Sequence, residues 1–445
     1  MKILLVSMNF SPELTGIGKY SGEMAEGLVD RGHDVTVVCA PPYYPTWSVG
    51  ADHSASAYTT ENPRPGLTIR RCPVWIPDRL TGLKRLAHLA SFALSSLPVL
   101  MNLVLWQPRI VFVVAPGLFT APGAWLAARL SGAKAWLHIQ DFEVDAAFEL
   151  GMLKQPLARR GALWAERWLM RRFDAVSTIS SRMVRQLARK GMPLQRTEVL
   201  PNWVDLTRIK PQGSSPELRR SLGISASQTV CLFSGTINRK QGVGVLIEAA
   251  RRLKASTDLV FVICGNGEVR PSLEAAAADL PNVRFIDLQP AAELNALLNM
   301  ADIHLLPQLS GAADLVMPSK LAGMLASGRP VVAAAIPGTE IASIVVGCGI
   351  VTTPECAEGF AEAITALATD AQRRQRLGAA ARAYAERVLD AQVIFDRLDA
   401  RLAQVDRQSV PVLAPQGSVR AARPLLATVD QRQALTPVAL TDDAK

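Results

Sequence analysis

The sequence predicts an α/β protein of two doubly wound, parallel-sheet, Rossmann-like domains that face each other across a cleft. Short β-rich runs alternate with helical stretches, the mark of βαβ units. That alternation stops at a joint over 201–216, whose Pro201, Pro211, Gly213 and Pro216 suit an exposed hinge, and then begins again. A chain of 445 residues also exceeds what one core usually organises, whereas two domains suit it.

In the first half the strand-like runs are 2–7, 34–40, 67–72, 109–115, 133–140, 174–180 and 197–200. In the second they are 229–235, 258–265, 282–288, 301–307, 329–334 and 349–352. Their near-continuous apolar character suits strands covered on both faces. The domains follow as 1–205 and 206–385. Residues 386–407 then form a helix packing back towards the first domain, and 408–445, rich in Pro, Ala, Gln and Thr, form a flexible tail.

The segment 86–106 is apolar, with Arg79, Lys84 and Arg85 before it. His88, several serines, Pro98 and Asn102 interrupt it and a strand follows at once, which disfavours a membrane span. A buried or half-exposed helix pair and interfacial attachment to a membrane both remain open.

The net charge is +9, and +7 of it lies in residues 1–205. An anionic membrane face or a phosphorylated lipid fits that asymmetry. Nucleic acid does not, since no zinc-finger spacing, RNP-like strand or basic helix-turn-helix is present. The six cysteines lack C-x-x-C pairs and read as reduced core residues, not metal ligands or disulfides. The N-terminal apolar run is too short for a secretory signal, so a cytoplasmic location is expected.

Five loops at strand ends could carry chemistry. Ser11-Pro-Glu-Leu-Thr-Gly-Ile-Gly18 leads from the first strand into a helix, where Gly16 and Gly18 permit close approach of a phosphate or a sugar. The spacing differs from G-x-G-x-x-G and no acid ends the second strand, which disfavours a nicotinamide enzyme. His138 and Asp141, with Glu143 and Asp145, gather at the end of the fifth run, where an acceptor hydroxyl could be oriented. Gly235 is followed by Arg239 and Lys240 in a strand-to-helix loop suited to a diphosphate. Gly265 lies in a third glycine turn, and Pro318-Ser319 opens a helix with Lys320 in its first turn, a cation placed where the dipole favours an anion.

Taken together these motifs resemble the GT-B glycosyltransferases of family GT4, and most nearly the bacterial exopolysaccharide branch that includes predicted colanic-acid fucosyltransferases. The resemblance rests on Asn9-Phe-Ser-Pro-Glu13 with Thr15-Gly-Ile-Gly18, His138-Ile-Gln-Asp141, Val199-Leu-Pro-Asn202, Ser234-Gly235 through Gln241-Gly242, and Pro318-Ser-Lys320 before Ser327-Gly-Arg-Pro330. It implies a retaining transferase that moves a sugar, GDP-fucose being the first choice of donor, onto a polyprenyl-diphosphate-linked oligosaccharide at the inner-membrane surface. No metal or other cofactor is implied. It assigns His138, Asp141 and Lys320 to catalysis. It assigns Gly16, Gly18, Gly235, Arg239, Lys240, Gly265, Pro318 and Ser319 to the donor.

Two motifs depart from the pattern. The acids of the usual Glu-x7-Glu motif are Leu315 and Gly323 here, and the lysine usual before the second-domain loop glycine is Gln241, with Lys240 as the expected substitute. A sugar-nucleotide epimerase and a nucleotide-binding subunit without turnover are the alternative readings.

Overall fold

The computed structural model describes residues 1–13, 16–78, 82–115, 118–142, 156–213, 215–310 and 319–407. The first sheet holds β1 (Lys2–Ser7), β2 (Asp34–Cys39), β3 (Thr59–Arg64), β4 (Leu67–Arg71), β5 (Ile110–Ala115), β6 (Lys134–Ile139), β7 (Ala175–Thr178) and β8 (Thr197–Val199). Their spatial order is β3-β4-β2-β1-β5-β6-β7-β8. All neighbours are parallel except β3, which pairs antiparallel with β4 at the edge.

That edge strand has no counterpart among the runs read from sequence. Glu61, Asn62 and Pro63 are poor strand formers, and proline is tolerated there because an edge strand leaves one row of N–H groups unpaired.

The second sheet contains β9 (Thr229–Ser234), β10 (Leu259–Cys264), β11 (Val283–Ile286), β12 (Ile303–Leu306), β13 (Val331–Ala334) and β14 (Gly349–Thr352). It is wholly parallel, in the order β11-β10-β9-β12-β13-β14. The order reverses between β1 and β5 in one sheet and between β9 and β12 in the other. In open parallel sheets a crevice forms at the carboxyl ends of such strands.

Four first-domain helices matter below: α1 (Gly16–Asp30), α2 (Gly82–Leu103), α3 (Ala121–Ser131) and α4 (Pro156–Met170). The apolar segment expected as a helix pair is one helix, α2, with Pro98 inside it. Its inward residues His88, Phe92, Ser96, Leu100 and Leu103 recur at helical spacing and enter the core. Ser95 and Ser96 donate to backbone carbonyls, so the polar interruptions are satisfied without unwinding the helix.

In the second domain α5 (Gly244–Arg252) follows the β9 loop and α6 (Lys320–Ala326) precedes β13. Helix α7 (Ala391–Arg407) belongs to the first domain's core. Phe395 packs edge-on to Trp203 at 4.6 Å, and a Cβ on Gly27 of α1 would fall 2.6 Å from that ring. Arg31 pairs with Asp396 and His33 with Asp399 along the same seam.

The joint differs from the exposed hinge expected. Trp203 and Val204 are buried, Val204 N–H donates to Leu389 O at 2.8 Å, and Ala391 N–H donates to Val204 O at 3.1 Å. The two crossings between domains are thus laced to each other, and solvent reaches the joint at 207–208, 210–213 and 216. The expected tail, 408–445, lies outside the described residues.

Candidate functional site

At the first sheet's carboxyl edge the dominant group is Glu13, which is only 5% exposed. Its carboxylate accepts from Asn9 Nδ2 at 3.0 and 3.2 Å and from the Tyr43 and Tyr44 backbone N–H groups at 3.2 and 3.1 Å. Burial pushes its pKa up, opposed by those donors and by the Arg71 charge. Arg71 itself donates to Ala40 O and Ser11 O and pairs with Glu61, so it braces the loops after β1 and β2. Gly18 is explained by this acid, since a Cβ there would lie 2.5 Å from Glu13. Gly16 has φ +60° and open space around it, a backbone state that glycine adopts without strain.

His138 ends β6 fully enclosed. Trp136 Nε1 donates to Ser177 Oγ at 2.8 Å, and Ser177 lies 2.9 Å from His138 Nδ1. The serine has one hydrogen left, and giving it to Nδ1 places the imidazole proton on Nε2. Nε2 is buried and finds no partner among the described residues. Burial lowers the pKa to about 3, so the ring is a neutral donor at physiological pH. Of the acids expected around His138, Asp141 lies among the described residues, and its charge reaches the Tyr44 phenol. Glu143 and Asp145 lie outside the described residues.

The second sheet's edge is built around Lys320. Its ammonium donates to Gln241 Oε1 at 2.5 Å and sits 4.2 Å above the Phe233 ring. It also lies 3.4 Å from where a Cβ on Gly235 would be, so the glycine leaves the space that the cation occupies. No carboxylate pairs with it among the described residues, and burial pulls its pKa down to about 7. As a whole residue Lys320 is half-buried.

Gln241 is presented by a short 3-10 turn, Arg239–Gln241, capped by Asn238 Oδ1. Arg239 is exposed and makes no ion pair among the described residues. Nothing is described of the Lys240 side chain, and Pro318 lies outside the described residues. Gly265 is a backbone crossing point: with φ +144°, a Cβ would stand 1.9 Å from the Gly235 carbonyl oxygen. Across the cleft, burial pushes the pKa of the Tyr20 hydroxyl of α1 up, opposed by the nearby Ser319 side chain. Sequence patterns brought Lys320, Gly235, Ser319 and Gln241 forward, but not the contact between Lys320 and Gln241, nor Tyr20. Glu13 had a signal, its place five residues before Gly18, but it reads as part of a glycine loop.

The Glycosyl transferase 4-like domain family matches residues 15–203 and the Glycosyl transferases group 1 family matches 214–384. WcaI of Escherichia coli K12, named for glycosyl transfer in colanic acid biosynthesis, is 42% identical over 88% of this chain and 97% of its own. The chain is a GT4 glycosyltransferase. The transferase has the GT-B fold, as solved structures show independently. Sucrose-phosphate synthase from Thermosynechococcus elongatus superposes with a TM-score of 0.72 at 16% identity, over 91% of this chain and 98% of that one. HepE of Anabaena, solved with UDP, gives 0.68 at 17% identity, over 91% and 100%. Membership sets aside the epimerase reading.

Proposed function

We propose that this transferase moves a sugar from a nucleoside-diphosphate donor to a lipid-linked oligosaccharide during surface-polysaccharide assembly, with retention of configuration and without a metal. GDP-fucose is the donor placed first. The enzyme works in the cytoplasm, peripheral to the inner membrane. The colanic acid role in the name of the Escherichia coli relative supports the pathway class, and the UDP complex of HepE supports a nucleoside diphosphate.

The observation that carries the reading is the Lys320–Gln241 contact. The position that usually holds a lysine before the loop glycine is occupied by a neutral amide, and the ammonium of Lys320 reaches into it from α6. A buried cation with one neutral partner is electrostatically unfinished. A diphosphate in the cleft supplies the missing charge and draws a proton onto the lysine, which then stabilises the leaving group. His138 offers Nε2–H to a sugar hydroxyl, Asp141 stands on the acceptor side, and Gly235 and Gly265 keep the loop backbones clear of side chains.

A second reading, a nucleotide-binding subunit without turnover, is favoured by Leu315 and Gly323, which remove the usual ribose acid. Thermal shifts with GDP, UDP, dTDP, ADP and CMP separate the cases. A ligand at a hundred times its Kd stabilises by about 2.7 kcal/mol. Selective stabilisation by GDP supports the donor placed first, and selectivity for UDP discards fucose. No shift with any of them removes the donor site as drawn.

A further inference from the structure

We infer that α2, α3 and α4 together form a docking face for an anionic lipid bilayer, an inference that rests on the lipid-linked acceptor of the proposed function. The three helices are continuous on one side of the first domain. Leu97 of α2 packs on α3, 3.1 Å from where a Cβ on Gly123 would be. The Arg172 guanidinium, just beyond α4, covers the Trp168 ring of α4 at 3.8 Å and the Trp125 ring of α3 at 5.2 Å.

Outward, this layer is apolar to a degree that water does not favour. Leu94 is 72% exposed, Leu130 59% and Trp164 67%, with Leu97, Leu126 and Trp168 between them. Alone among the described helices, α2 is long and apolar enough to cross a membrane. It does not leave the fold, however, because its other face holds Phe92 and Leu100 in the core and β5 follows directly. A helix fixed in that way can only lie against a bilayer.

The charge on the layer has one sign. No Asp or Glu occurs between Asp78 and Asp141, so α2 and α3 carry none. Glu166, the only acid in α4, is 4% exposed and is bound by Lys190. Asp174 offsets Arg129 at 3.7 Å. Lys84, Arg85, Arg159, Arg160 and Arg167 are the other exposed charged residues of the three helices. Apolar side chains with tryptophans and a cationic fringe match the interface of an anionic bilayer, where the rings sit at headgroup depth and long basic side chains reach the phosphates. The placement also suits the chemistry. His88 of α2 packs at 5.0 Å on Tyr43 and 5.3 Å on Trp47, in the loop that caps Glu13, so the face runs up to the acceptor side of the cleft.

The test is co-sedimentation of the full chain with phosphatidylethanolamine vesicles containing phosphatidylglycerol, and with phosphatidylcholine vesicles. The wild type should bind the anionic vesicles preferentially, and high salt should release only part of it. Leu94→Glu with Trp164→Glu should weaken binding by about tenfold or more, and Arg160→Gln with Arg167→Gln should remove the preference for anionic lipid. Nucleotide thermal shifts on the same preparations verify folding and are expected to be unchanged. Equal binding to both lipids, or apolar variants that bind like the wild type, would overturn the proposal. So would a wild-type dimer in free solution that those variants dissolve, since a second copy of the chain would then own the face. Vesicle binding without any nucleotide shift would discard the donor reading and leave the docking face standing.

Discussion

At the loop after β1 the group beneath the glycine is a carboxylate, and at the loop after β9 it is an ammonium. Glu13 is enclosed with two backbone N–H groups and an asparagine amide around it, whereas Lys320 holds one neutral amide and one aromatic face. The first loop is internally complete and the second awaits a counter-charge. Glycine spacing alone therefore reports that a backbone must pass close to something, and does not report the sign of what it passes. On the proposed function, the acceptor half of the cleft is preorganised by the protein and the donor half is completed by the donor.

The largest effect that would break this comparison is on Lys320. Lys320→Ala should cost a nucleoside diphosphate about 2 kcal/mol, close to thirtyfold in Kd by calorimetry, with little change for the nucleoside. Equal losses for both ligands would mean a disordered loop instead of a missing cation. Glu13→Gln sharpens the other side. Replacing the buried carboxylate should leave one backbone donor poorly matched and lower stability by about 1–2 kcal/mol in denaturant unfolding, with diphosphate affinity unmoved. A gain in diphosphate affinity would show that the two loops bind the same anion.

The smallest effect on affinity belongs to His138. His138→Ala should leave donor Kd unchanged and lower kcat by about tenfold, since one positioned donor is lost from the site. Because burial holds this imidazole near pKa 3, it is neutral at every pH above about 4, so it adds no ionisation to the rate profile between pH 5 and 8. A wild-type inflection near pH 6.5 that His138→Ala removes would contradict the neutral-donor role.

Much of the fold could be read from the sequence because the buried parallel strands are uninterrupted apolar runs such as Ile110–Ala115 and Leu259–Cys264. Thr59–Arg64 could not, because an exposed edge strand needs no apolar pattern. Lys320 was legible through its electrostatic oddity in the first turn of a helix. Its partner was not, since Gln241 lies 79 residues away and only the fold brings them together. Ser177, which sets the tautomer of His138, was hidden for the same reason. Its strand neighbours His138 through sheet register, not through any local motif. Even the joint at 201–216, rich in turn formers, concealed the burial of Trp203 because α7 returns from the far end of the chain to cover it.

Proton linkage on donor binding tests the cation most directly. In the free transferase Lys320 titrates near 7, so at pH 8 most of it is neutral, and a bound diphosphate raises its pKa and requires the ammonium. Calorimetric titration of GDP and UDP at pH 8, in two buffers of different ionisation enthalpy, should show uptake of nearly one proton by the wild type and none by Lys320→Ala. Binding with no net uptake, or with the same uptake in both proteins, would contradict Lys320 as the counter-charge of the donor.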